Sequence, residues 1–141
     1  MNQVDFYVLS TEDDQGRRLL ACKLTEKAWR LGLRVYIRTA SEAESAALDD
    51  LLWTFRQGSF VPHGRQSAAG WEDAPVMIGD GREALPEGAD LCVNLGAAEV
   101  EAGTCARVAE IIDQEGTRRQ WGRDRYRRYR ERGFEIRTHK L

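Results

Sequence analysis

The sequence has no long apolar run, few cysteines and almost no histidine. No stretch of about 18 apolar residues occurs in its 141 residues, so we expect no membrane-spanning segment. Three cysteines and two histidines without a C-x-x-C pair argue against a zinc site or a disulfide framework. We therefore expect no metal ion and three reduced, mostly buried thiols. The N-terminus lacks the basic start and apolar segment of a signal peptide, which favours a cytoplasmic protein.

The common motifs of nucleotide chemistry are missing as well. The first strand-to-helix loop, Ser10-Thr-Glu-Asp-Asp-Gln-Gly16, contains neither G-x-G-x-x-G nor G-x-x-x-x-G-K-[ST]. Its three acidic side chains would repel a phosphate instead of binding it. No G-x-S-x-G nucleophile elbow occurs, and His63 has no motif partner for base catalysis. We therefore expect no cofactor and no catalytic activity of the chain itself.

Length and periodicity indicate a single α/β domain over residues 1–141. The chain opens with a strand (5–10), a helix and a second strand (34–39), and the helix repeats Leu20, Leu24, Ala28 and Leu31 before Gly32. Ser41 and Glu44 form a capping box for a second helix. This order predicts a mostly parallel central sheet flanked by helices, Rossmann-like but without a phosphate-binding loop.

The rest of the chain supplies the remaining predicted elements. Apolar runs predict strands at 75–78 and 91–95, and alternation predicts a final edge strand at 134–137. We predict a helix around Thr104–Asp113 and a basic helix around Thr117–Arg132. The Gly64–Ala74 stretch, rich in Gly, Ser and Ala, is predicted to be a loop.

The net charge of −2 conceals a strong asymmetry. From residue 117 to 141 there are ten Lys or Arg against three Asp or Glu, which gives +7 and leaves −9 for the first 116 residues. At about 100° per residue, one helix sector about 80° wide holds four arginines with Tyr126 on its border. The four are Arg119, Arg123, Arg127 and Arg130. A solvated helix that covers the core with its Arg stems would also show this pattern.

Guanidinium groups beside a phenol ring suit a ligand that is both anionic and apolar. An acidic peptide that ends in an aromatic residue and a carboxylate meets that description. Single-stranded nucleic acid meets it too, because bases stack on aromatic rings.

A second candidate surface lies in Leu51–His63. Trp53 lies outside the apolar stripe of the second helix, which consists of Leu48, Leu52 and Phe55. Phe60 follows Gly58-Ser59 in or beside a turn. Large aromatic residues outside the periodic core are candidate interface anchors, although both could also fold inward.

Several segments resemble the chi subunit family of bacterial DNA polymerase III, in the right order through nearly the whole chain. They are Phe6-Tyr-Val-Leu9, Ala28-Trp-Arg-Leu-Gly-Leu-Arg-Val35, Leu48-Asp-Asp-Leu-Leu-Trp53, Gly58-Ser-Phe-Val-Pro-His63, the strand after Pro75 and Arg123-Asp-Arg-Tyr-Arg-Arg-Tyr-Arg130 followed by Gly133-Phe134. The "LDDLLW…SFVPH" and "RDRYRRYRERGF" segments are the specific ones.

The resemblance implies a non-catalytic subunit of a DNA-directed DNA polymerase, which is a nucleotidyltransferase complex. It also implies two partners, the psi subunit of the clamp loader and the acidic, Phe-terminated tail of single-stranded DNA-binding protein. The family's tail-binding pattern matches Arg123, Tyr126 and Arg127, with Arg119 upstream, and Arg130 shares their face. The psi-facing aromatic residues match Trp53 and Phe60, and we assign Val61, Pro62 and His63 to the same interface.

Two rival functions remain at this stage. The basic helix could bind single-stranded nucleic acid directly, or the α/β fold could serve a small nucleotide-dependent enzyme. Titration with a tail peptide and with a single-stranded oligonucleotide distinguishes peptide binding from direct nucleic-acid binding. Thermal stabilisation of the protein by ATP or NAD would favour the enzyme.

Overall fold

The computed structural model describes residues 3–66, 74–82, 86, 88–101 and 105–141. Along the chain the elements are β1 (Gln3–Val8), α1 (Asp14–Arg30), β2 (Val35–Arg38), α2 (Glu42–Thr54), β3 (His63–Arg65), β4 (Val76–Gly79), β5 (Leu91–Asn94), β6 (Arg107–Ile112), α3 (Gly116–Glu131) and β7 (Glu135–Lys140). The strands form one parallel sheet in the order β3-β4-β2-β5-β6-β1-β7. The predicted Rossmann-like α/β class is confirmed, with every strand parallel.

The helices cover the two faces of the sheet unequally. α1 and α2 pack on one face over an apolar cluster that includes Ala21, Leu48 and Ile37. α3 packs on the other face, where Tyr129 joins Phe6 in a second cluster. None of the helices in the described part of the chain is long and apolar enough to cross a membrane.

The predicted helix boundaries have the expected local causes. The Ser41 hydroxyl accepts a hydrogen bond from the Glu44 N–H at 3.1 Å, and the Glu44 carboxylate accepts one from the Ala40 N–H at 2.9 Å. Gly32 follows α1 with φ +83°, a conformation that favours glycine. The N-cap at Ser41 and the glycine stop are confirmed, and the return hydrogen bond of the Glu44 carboxylate comes from Ala40, one residue before the N-cap.

The helix predicted around Thr104–Asp113 is wrong, because residues 107–112 form β6 between β1 and β5. Val108, Ile111 and Ile112 have a helix-like spacing, but β-branched residues pack well in a strand. Glu110 interrupts the apolar run, and its fully buried carboxylate is paired with a residue of α3. No local pattern reveals a partner that lies elsewhere in the chain.

Other differences lie beyond the second helix. β3 was not predicted, and it takes Gly64 and Arg65 from the predicted loop. Residues 67–73 of that loop lie outside the described residues. The predicted final strand is confirmed as β7, which pairs only with β1 among the described strands and forms a sheet edge.

The three cysteines are free and buried, as predicted. Burial raises the pKa of the Cys22 thiol to about 12. A hydrogen bond with Cys105 and burial raise the pKa of Cys92 well above its usual value. Thiols that stay protonated are poor nucleophiles and poor metal ligands.

Asp5 of β1 connects the edge strand β7 to the sheet. Its buried carboxylate accepts hydrogen bonds from His139 and from Arg107, both at 3.1 Å. Burial by itself raises the pKa of Asp5, but hydrogen bonds from His139, Arg107 and Gln3 outweigh burial and hold that pKa below its ordinary value.

We expect Asp5→Asn to lower the free energy of unfolding at neutral pH by about 1–2 kcal/mol. A carboxylate with a depressed folded pKa stabilises the protein above its unfolded pKa of about 4, and this contribution is lost as pH falls through the folded value. Denaturant unfolding of wild type and Asp5→Asn at neutral pH and in acid measures the difference between their free energies of unfolding. This difference should become smaller in acid. A difference that stays constant from neutral pH into acid would contradict a stabilising role of the Asp5 charge.

Candidate functional site

The basic helix α3 begins and ends at defined caps. The Glu115 carboxylate accepts a hydrogen bond from the Arg118 N–H at 2.9 Å. Gly133, with φ +81°, turns the chain after the helix toward β7. The helix therefore matches the predicted span to within one residue at each end.

A narrow buried stripe joins α3 to the sheet. It consists of Gly122, Arg125 and Tyr129. A Cβ at Gly122 would lie 2.7 Å from the Ile112 Cδ1, so only glycine lets the helix come this close to β6. The sequence predicts Trp121, Gly122 and Tyr129 on this side of the helix. Trp121 is only half-buried, and the sequence does not predict Arg125.

Arg125 belongs to a buried polar network centred on Glu110. The fully buried Glu110 carboxylate accepts hydrogen bonds from Arg125 Nε at 2.8 Å, Tyr129 Oη at 2.7 Å and Asn94 Nδ2 at 2.9 Å. Burial and the Glu110 charge raise the pKa of Tyr129. The phenol therefore keeps its proton, donates to Glu110 and accepts from the Val100 N–H at 2.8 Å. This network fixes α3 on strands β5 and β6.

The eight arginines between residues 118 and 132 divide into two sets. Ion pairs with carboxylates hold four of them: Arg118, Arg125, Arg128 and Arg132. Within the described part of the chain, the side chains of the other four make no hydrogen bond or ion pair, and these residues are exposed: Arg119, Arg123, Arg127 and Arg130. These four are the ones that the helical wheel predicts on one face.

A cavity of about 640 Å³ opens between α3, the end of β1 and the end of β7. We call it the α3 pocket. Its cationic side chains come from α3 and from β7, its floor is largely apolar, and none of the described residues that line it is Asp or Glu. The lining residues are Phe6, Val8, Leu9, Ser10, Ile112, Gln114, Arg119, Gly122, Arg123, Tyr126, Thr138, Lys140 and Leu141.

The structure brings three of the five predicted tail-binding residues to the α3 pocket. They are Arg119, Arg123 and Tyr126, and the Tyr126 ring lies 5.4 Å from that of Phe6. Arg127 and Arg130 lie on the same helix but outside the lining residues. The helix pattern does not predict the walls from β1 and β7, because these strands meet α3 only in the folded chain.

The second predicted surface, which we call the Trp53 surface, contains Trp53, Phe60 and Pro62. Trp53 is 51% exposed and Phe60 is 75% exposed. Pro62 is exposed as well, whereas Val61 and His63 are buried. The predicted interface residues thus separate into three that a partner could touch and two that support them from inside.

Buried contacts hold the Trp53 surface in shape. The His63 ring lies 4.4 Å from that of Trp53, and its Nδ1 donates to the Val61 carbonyl at 2.7 Å. Its Nε2 lies 2.8 Å from the Asp49 carboxylate. Beside Phe60, the Ser59 hydroxyl donates to the buried Glu26 carboxylate. Phe60 is therefore an exposed ring between two buried neighbours, and little conformational freedom is lost if it binds a partner.

The two surfaces lie at opposite ends of the sheet. The Trp53 surface adjoins β3 and the α3 pocket adjoins β7, and these are the outermost strands. Six strand spacings of about 4.8 Å separate the two edges by roughly 29 Å. The two surfaces are therefore separate and share no residue.

Ion pairs cross the position where this fold often binds nucleotides. β1 and β6 are neighbours, and their connecting helices, α1 and α3, leave toward opposite faces, which is where α/β sheets commonly bind ligands. Arg118 spans the crevice with ion pairs to Asp113 at 2.7 Å and to Asp14 at 3.0 Å. Gln114 Nε2 donates to the Leu9 carbonyl at 2.9 Å. The protein's own side chains therefore occupy part of this crevice, beside a cavity of about 440 Å³ that Arg17, Glu44 and Arg118 help to line.

Sequence comparisons find relatives that match nearly the whole chain. The family model described as "DNA polymerase III chi subunit, HolC" matches residues 1–137. The protein "DNA polymerase III subunit chi" of Pseudomonas aeruginosa is 42% identical over 144 residues, covering 100% of this chain and 98% of the relative. Its namesake in Escherichia coli (strain K12) is 28% identical over 143 residues, covering 98% and 97% respectively.

A comparison with solved structures identifies the fold alone. The structure titled "The crystal structure of T4 UvsW" superimposes with a TM-score of 0.70 at 11% identity. The match covers 99% of this chain and 41% of that one. At this identity the likeness extends to the parallel α/β architecture and carries no functional conclusion.

Proposed function

Because this chain belongs to the DNA polymerase III chi subunit family, and is therefore an accessory component of a DNA polymerase complex in replication, we propose that it joins two partners. The α3 pocket binds the acidic C-terminal tail of single-stranded DNA-binding protein. The Trp53 surface binds the psi subunit and, through it, the clamp loader. The protein thus connects the polymerase complex to coated single-stranded DNA in the cytoplasm.

One observation supports binding of the acidic tail: arginines whose side chains have no partner among the described residues lie beside an apolar pocket. Arg119 and Arg123 have no carboxylate partner among the described residues, and the cavity beside them has an apolar floor. A terminal aromatic side chain can fill the floor while the adjacent carboxylates pair with guanidinium groups. Arg127 and Arg130 offer further positive charge to the aspartates that precede the terminal residue.

The contact should be small and dependent on salt. A few residues of peptide bury much less surface than a standard protein interface, so we expect a dissociation constant on the order of micromolar. Exposed ion pairs weaken as salt screens them, so the affinity should fall as ionic strength rises.

Titration with two ligands tests this proposal. A fluorescent peptide carrying the acidic, Phe-terminated tail should bind, and the same peptide without its terminal Phe should bind at least tenfold more weakly, because the apolar pocket stays unfilled. A single-stranded oligonucleotide of similar length serves as the competing ligand. Tight oligonucleotide binding with no response to the peptide would overturn the proposal and favour direct nucleic-acid binding by the four unpaired arginines.

The exposed aromatic residues support the second part of the proposal. Trp and other aromatic side chains held in position are frequent anchors of protein interfaces. The buried contacts of Val61 and His63 keep the two rings in place.

We expect Phe60→Ala to weaken psi binding at least fivefold and to leave the affinity for the tail peptide unchanged, because the two surfaces lie on opposite edges of the sheet. Titration calorimetry with psi and with the peptide measures both affinities. Thermal unfolding of the variant provides the control for folding. Loss of both affinities together would assign the effect to misfolding and contradict a local role of Phe60.

We further propose that the chain itself catalyses no reaction and needs no cofactor. The ion pairs of Arg118 with Asp113 and Asp14 across the crevice between β1 and β6 support this view. A gain in thermal stability with ATP or NAD would contradict it.

A further inference from the structure

The α3 pocket has a cationic side chain that the basic helix does not supply. Lys140, the last residue of β7, lines the pocket on the wall that faces α3, opposite Arg119 and Arg123. Among the described residues it has no hydrogen bond or ion pair through its side chain. The pocket therefore has positive charge on two walls that belong to different elements.

The sheet determines where Lys140 points. Side chains alternate between the faces of a strand, so Ile136, Thr138 and Lys140 lie on the α3 side. Ile136 packs in the apolar cluster beneath α3, and Thr138 lines the pocket. The backbone at this point is held by the ladder with β1, because the N–H of Leu141 donates to the Val8 carbonyl at 2.9 Å.

Arg137 of the same strand lies on the other face of the sheet and is paired with a carboxylate. On that face its neighbour in the alternation, His139, stacks on Tyr7 with ring centroids 4.8 Å apart. Arg137 pairs with Glu135 at 3.3 Å. The strand thus offers two cations of equal charge, of which one lines the α3 pocket.

The arrangement suits one chemical feature of a ligand. A residue at a chain end carries its side chain and its α-carboxylate on the same Cα, so an apolar side chain on the pocket floor leaves the carboxylate between the walls. We propose that Lys140 on β7 and Arg123 on α3 hold this free α-carboxylate from two sides. Lys140 thereby makes the site specific for a chain end over an internal acidic segment. This inference rests on the proposed function of the α3 pocket.

Two single variants and two peptides test the proposal. Wild type, Lys140→Gln and the matched control Arg137→Gln are titrated with the Phe-terminated acidic peptide as a free acid and as a C-terminal amide. Lys140→Gln should weaken binding of the free acid roughly threefold to tenfold, the range of a partly shielded ion pair. For the amide, which already binds more weakly to wild type, Lys140→Gln should change the affinity less than twofold. Arg137→Gln should change both affinities less than twofold.

Three results would overturn the inference. The first is that Lys140→Gln leaves the affinity for the free-acid peptide unchanged. The second is that Lys140→Gln weakens binding of both peptides equally. The third is that Arg137→Gln weakens binding as much as Lys140→Gln does, which would indicate a general influence of net charge. Failure of the wild-type protein to bind the free-acid peptide would instead overturn the proposed function itself, and this inference with it.

Discussion

Replacement of Arg125 by alanine is expected to lower the free energy of unfolding by about 3–5 kcal/mol. The Arg125 side chain is 2% exposed, and its Nε donates to the fully buried Glu110 carboxylate at 2.8 Å. Without Arg125, the Glu110 charge would remain in the interior with only Tyr129 and Asn94 as donors. Burial of an unpaired charge is among the most destabilising changes a protein can undergo.

Arg128 provides a matched control for this prediction. It lies on the same helix and pairs with Glu99 at 3.0 Å, but its side chain is 54% exposed. Because exposed ion pairs contribute little, Arg128→Ala should change the free energy of unfolding by less than about 1 kcal/mol. Denaturant unfolding followed by circular dichroism measures both variants.

A double variant separates the charge from the packing. Arg125→Met with Glu110→Gln removes both charges, so it should be more stable than Arg125→Met alone. If Arg125→Ala and Arg128→Ala had equal effects, the buried network would not be what holds α3 on the sheet.

Replacement of Arg123 by alanine is expected to weaken binding of the acidic, Phe-terminated peptide about 10- to 100-fold, or about 1.5–3 kcal/mol. Arg123 lines the α3 pocket, is exposed and has no partner among the described residues, so its guanidinium group is available to a ligand. Removal of an exposed side chain should leave the free energy of unfolding nearly unchanged. Fluorescence anisotropy with the labelled peptide measures the affinity.

Two further variants make this test specific. Arg123→Lys keeps the charge but loses the planar two-pronged donor, so it should bind with intermediate affinity. Arg128→Ala removes an arginine from the same helix that is already paired with Glu99, and its affinity should stay within about twofold of wild type. Equal losses for Arg123→Ala and Arg128→Ala would mean that overall charge, and not the α3 pocket, governs binding.

Much of the fold follows from local signals. The capping box at Ser41 and the glycine stop at Gly32 act within a few residues, so the sequence predicts the ends they define. The sequence predicts a helix around Thr104–Asp113 in place of β6, because the strand depends on neighbours that are far away in the sequence. β1 is about 100 residues distant, and Arg125 and Tyr129, which satisfy Glu110, lie on α3.

The arginine face shows the division between sequence and structure most clearly. Helical periodicity alone predicts that four arginines share one sector of the helix, since the period of a helix is a local property. Among the described residues of the folded chain, the side chains of these four have no partner, while Asp113, Glu110 and Glu99 pair with the other four. The fold also places Thr138 and Lys140 of β7 in one wall of the α3 pocket. The reason is that ion pairs and pocket walls join residues that meet only after the parallel strands have assembled, and helical periodicity carries no information about such meetings.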